Sequence, residues 1–136
     1  MGTALAGFMG GTLMGLLFVT HMAILLTFRP PKALAARAAE GGVTGRVVAM
    51  SAAAMFAWSA LGIAAAFGFE AMRGSYPSSV ATLPSLAFTA TVVWVTALVA
   101  IPASLFMRDR LWHLAAQVAL IVGIFGWLVP NLVVAV

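Results

Sequence analysis

The chain has 136 residues, 64% hydrophobic and 7% charged, with a net charge of +4 and no cysteine. That composition leaves no room for a soluble domain beside apolar helices, and the lack of cysteine excludes disulfides and thiolate metal sites. The basic excess flanks apolar runs, where membrane orientation and anionic lipid account for it, so no nucleic-acid partner is expected.

The seven basic and three acidic side chains all fall between four apolar stretches, about 3–28, 47–69, 83–107 and 111–136. At ~1.5 Å per residue each stretch can cross a ~30 Å hydrocarbon layer. A membrane barrel would instead show segments of roughly ten residues alternating apolar and polar. The sequence therefore predicts an all-α integral membrane protein, a single transmembrane domain over 1–136 built from four helices.

In the first stretch Gly7, Gly11 and Gly15 recur every four residues, with Gly10 beside them. Lipid gives little hydrophobic drive between helices, so association relies on close backbone approach over small residues. This glycine zipper predicts a tight helix–helix contact, either inside the bundle or with another subunit. His21 is the one ionisable side chain deep within a span. It projects at the edge of the glycine face near Met14 and Leu25, so it is expected to point into an interface. The stretch lacks a basic segment ahead of it, so it is read as structure rather than a signal peptide.

Arg29-Pro30-Pro31 ends the first helix, since proline disfavours helical geometry in the residue before it. Residues 32–40 are Ala-rich with charges at 32, 37 and 40, and Gly41-Gly42 comes next. They are expected to form a short interfacial helix, with an irregular basic loop as the alternative. The second helix offers Ser51, Ser59, Gly62 and Ala66 as a narrow packing face and carries Trp58 near its middle. Gly74, Tyr76 and Pro77 predict a turn after it. Trp94 lies mid-span in the third helix. Belt tryptophans prefer interfaces, so Trp58 and Trp94 are both expected to pack inside the bundle or against a partner.

The third connector is only Arg108-Asp109-Arg110, which requires a tight antiparallel hairpin. On the fourth helix Ala116, Ala119, Gly123, Gly126 and Pro130 form a second small-residue stripe. His113, Gln117, Leu120, Ile124, Trp127 and Asn131 share another face at helical spacing. Basic residues dominate connectors one and three, which are therefore expected on the cytoplasmic side, with both termini outside.

His21 and His113 fall in the same half of the membrane and are the candidate cofactor ligands. Each can serve as a structural hydrogen-bonding histidine, or either or both can ligate a haem or chlorophyll, with arginines receiving acidic groups. The depths of the two histidines are expected to differ by one to two turns. Met22, Met50 and Met107 lie near them, but without cysteine or a Met-x-x-Met pair no metal site is expected.

No span contains Asp, Glu, Lys or Arg, which disfavours proton-coupled export. No catalytic constellation or phosphate loop is present, so no enzymatic activity and no catalytic residue are expected. The leading expectation is a small accessory subunit of a larger complex in a bacterial cytoplasmic membrane, of redox, respiratory or photosynthetic type. It would act through helix packing at Gly7, Gly11, Gly15, Gly62, Gly123 and Gly126, with lipids and other membrane subunits as its partners. A haem- or chlorophyll-ligating subunit is the alternative, and a homo-oligomeric channel or carrier is the third.

Overall fold

The computed structural model describes residues 2–28, 43–76, 83–106 and 108–135. Every element among them is helical: α1 (Gly2–Phe28), α2 (Val43–Gly74), α3 (Leu83–Phe106) and α4 (Leu111–Ala135). All four are long and apolar enough to span a membrane. The expected interfacial helix, with Arg29, Lys32, Arg37 and Glu40, lies outside the described residues.

The second helix is longer than expected. It runs 32 residues and takes in Arg46, Glu70 and Arg73, which the charge pattern alone assigns to connectors. Nothing in the flanking segments breaks a helix, and at ~1.5 Å per residue its ~48 Å length exceeds the ~30 Å hydrocarbon layer. Its charged ends therefore project past the apolar zone. At its C-terminus Ser75 and Tyr76 donate backbone N–H bonds to the carbonyls of Met72 and Arg73, at 3.1 and 3.3 Å, closing the expected turn. The third connector is a single 3₁₀ turn, Arg108–Arg110, as a tight hairpin requires.

Successive helices run antiparallel. Thr3 Oγ1, at the start of α1, donates to Glu70 Oε2 near the end of α2 at 3.3 Å. Both ends of the described chain thus lie at one end of the bundle, the terminal end. Arg46, Arg108 and Arg110 mark the opposite, basic end.

The zipper contact is internal. A Cβ on Gly7 would lie 2.5 Å from the Gly62 carbonyl oxygen and 2.7 Å from Ile63 Cα. One on Gly11 would overlap the Trp58 carbonyl, and one on Gly15 would lie 2.9 Å from Met55 Sδ. Gly10 turns the other way, toward Val129 of α4. Between the glycines, the Thr12 and Ser59 hydroxyls are 3.1 Å apart and share a hydrogen bond, the neutral polar link that helices in lipid can use.

Ala6, Met14, Ala66, Phe69, Phe88, Ile124, Phe125, Val129 and Val133 form the buried core. Most of it sits at the middle and terminal end. Trp58 reaches inward as expected, its ring centre 5.8 Å from both Phe18 and Phe125, stacked on the latter. Trp94 does the opposite: it is 71% exposed, on the outside of α3.

The fourth helix is not uniform. Val122–Leu128 is π-helical, and the Val129 N–H bonds to Ile124 O, five residues back. One extra residue in a turn rotates the remainder of the helix by about a quarter turn. The inward face accordingly passes from Gln117, Leu120 and Ile124 to Val129 and Val133, while Trp127 and Asn131 point outward. The expected face from His113 through Asn131 is broken there, and so is the second small-residue stripe. Gly126 and Pro130 are buried, Ala119 and Gly123 are exposed, and nothing lies within 4 Å of a Cβ placed on Gly123.

Candidate functional site

Besides the Thr12–Ser59 bond, two polar features inside the bundle stand out among the described residues. The nearer to the terminal end is at the π segment. Pro130 has no N–H, so the carbonyl four residues back, Gly126 O, loses the donor an α-helix would supply. The Thr89 hydroxyl of α3 donates to that carbonyl at 2.6 Å, and its other contact is Ser85 O at 2.8 Å. Gly126 lets α3 approach this closely, since a Cβ there would sit 3.2 Å from Thr89 Cγ2. Asn131 Nδ2 donates to Trp127 O at 2.7 Å, the next carbonyl along. With no water in hydrocarbon, a freed carbonyl needs such a partner. This feature is fully satisfied and structural.

The second lies toward the basic end, where His21 of α1 meets His113 of α4. Their ring centres are 5.2 Å apart at 73°, edge against face. The expected depth difference is absent. That expectation counts depth from the helix ends, but α1 extends past the start of α4, and the stagger brings the rings level. Gln117 lies one helical turn after His113 on the same face. His21 Nε2 and both polar atoms of the Gln117 carboxamide are buried without a hydrogen-bond partner among the described residues. Groups of this kind are normally paired, and three orphaned atoms around one ring contact mark a place that can take a polar ligand.

The surroundings give the site its character. Leu25, one helical turn after His21 on α1, is buried, and Arg110 lies three residues before His113. Among the described residues no group of three or more His, Cys, Asp or Glu converges. Two imidazoles on opposite sides of one metal, as on haem iron, hold their centres roughly 6 Å apart with the macrocycle between them. Rings in edge contact at 5.2 Å leave no gap for one. A haem or chlorophyll on this pair would therefore be ligated by one histidine from outside the contact.

Of the expected packing glycines, Gly7, Gly11, Gly15 and Gly62 meet in the α1–α2 contact and Gly126 meets α3, whereas Gly123 faces outward. Thr89 is a contact that sequence reasoning misses, although Pro130 four residues after Gly126 signals a carbonyl in need of a donor.

No protein-family model, no curated protein and no solved structure matches the chain.

Proposed function

We propose that this chain is a small polytopic subunit of a larger membrane assembly, working by helix packing rather than by chemistry of its own. The observation that carries the reading is the outward face of α3. Thr91, Trp94, Leu98, Ile101 and Leu105 are all exposed and alternate by three and four residues. That is the spacing of a seam into which another helix interdigitates. An apolar face alone would suit lipid equally well. Trp94 favours a helix over lipid, because it lies midway along the span and its indole makes no hydrogen bond among the described residues. An indole N–H in hydrocarbon lacks the acceptor that interfacial headgroups provide, and a neighbouring helix can supply one. The proposed occupant of the seam is therefore a transmembrane helix of another subunit carrying a hydroxyl, amide or free carbonyl at mid-depth.

The host membrane in this reading is a bacterial cytoplasmic membrane, with the basic end inside and both ends of the chain outside. The lack of any native cysteine makes this orientation easy to test. A Ser75→Cys variant should react with an impermeant maleimide added outside intact cells, and protection until the cells are lysed would reverse the assignment. The subunit reading itself is tested by mild-detergent extraction from native membranes. The chain should migrate with other transmembrane polypeptides, and migration as a monomer or homo-oligomer would overturn the reading.

A further inference from the structure

We propose that His21, His113 and Gln117 form a binding site for one nitrogen-preferring first-row transition-metal dication, which would bridge α1 to α4 at the basic end of the bundle. The first support is ring geometry. Two imidazoles bound at ~2.0–2.1 Å to one tetrahedral centre place their ring centres about 5 Å apart. The observed 5.2 Å is the centre-to-centre separation that arrangement needs and is shorter than the opposed one, so binding requires only that the rings turn their nitrogens to a common point. The second support is the orphaned set of atoms: His21 Nε2 is buried with no partner, and so are both ends of the Gln117 carboxamide. His113 and Gln117 stand four residues apart on one helix face, the spacing by which two side chains of a helix reach one metal. The ligands are then two imidazole nitrogens and the Gln117 carbonyl oxygen, with water completing the shell.

That donor set selects the ion class. It has no carboxylate, so Mg²⁺ and Ca²⁺, which need several hard oxygens, are excluded. It has no thiolate, so affinity follows the imidazole order, with Cu²⁺ tightest, Zn²⁺ and Ni²⁺ weaker and Mn²⁺ weakest. A dication with neutral ligands would be costly in hydrocarbon. The site lies near the end of its span rather than at the middle, since His113 is the third residue of α4 and three residues from Arg110, so the ion would enter from the basic end with water as its remaining ligands. The bridge would also act where the bundle needs it, because the basic end of α2, over residues 45–50, is exposed throughout and the core lies elsewhere.

The test uses the full chain in detergent without a histidine tag, titrated with Cu²⁺ and Zn²⁺. One Cu²⁺ should bind per chain, with a paramagnetic-resonance spectrum showing two imidazole nitrogens. Mg²⁺ should not compete. Removing a group that merely orients a metal ligand already costs ~10–100-fold in affinity, so losing a ligand by His21→Ala or His113→Ala should weaken binding by at least about tenfold. Each variant should also leave a one-nitrogen spectrum, and Gln117→Leu should cause a smaller loss. Zn²⁺ should raise the unfolding temperature of the wild type and not of the double variant. Stoichiometric binding that survives His21→Ala/His113→Ala would overturn the proposal. If the variants do not fold, the wild-type spectrum decides alone: a copper signal without two imidazole nitrogens, or no binding above the detergent blank, overturns it.

Discussion

At Gly11 the α1 and α2 backbones are so close that a methyl group would overlap the Trp58 carbonyl and come within 2.7 Å of Ser59 Cα. Backbone cannot rotate away as a side chain can, so Gly11→Ala is an overpacking change. It should destabilise the bundle by about 1–3 kcal/mol, read by denaturant unfolding in detergent. Gly123 is the matched control, since a Cβ there meets nothing. Gly123→Ala should stay within about 0.5 kcal/mol of wild type. Equal effects for the two variants would show that close approach at Gly11 does not set the cost, since the gain in helix propensity from glycine to alanine is common to both. Thr89 acts on the same scale. Its hydroxyl supplies the donor that Pro130 withholds from Gly126 O, and hydrogen bonds between membrane helices average ~0.6 kcal/mol and reach ~1.7. Thr89→Val should cost an amount in that range.

At the scale of elements, the π segment of α4 couples these residues. In a Pro130→Ala background a backbone donor returns near Gly126 O, so Thr89→Val should cost less there than in the wild type. A double-mutant cycle with no coupling would separate Thr89 from the proline. The same segment explains where sequence reasoning stops. Four spans are legible because charge is confined to helix ends, and the zipper is legible because Gly7, Gly11 and Gly15 recur at helical spacing. Faces extrapolated at 100° per residue hold as far as Ile124 and fail beyond it, because one extra residue in the turn rotates Trp127 and Asn131 outward. Helix stagger is equally hidden. His21 and His113 are 92 positions apart in sequence, and only the offset between α1 and α4 brings their rings to 5.2 Å. Spacing within one helix shows which residues share a face but not which level of a neighbour they meet.

For the whole molecule, the distribution of packing matters more than any single contact. The α1–α2 pair is joined by backbone proximity and α4 closes over it through Gly10, Val129 and the Trp58–Phe125 stack. The third helix is attached on one side through Phe88 and Thr89 and leaves its other side, with Trp94, uncovered. In the proposed reading that uncovered side is where another subunit packs, and Trp94 contrasts there with the inward Trp58. The most direct measurement is photo-crosslinking in native membranes with a benzophenone side chain in place of Trp94, compared with the same probe at the exposed Leu5 of α1. Position 94 should yield one discrete adduct containing a different transmembrane polypeptide, with position 5 giving only lipid adducts. Lipid adducts alone from position 94, or an adduct with a second copy of this chain, would contradict the subunit reading.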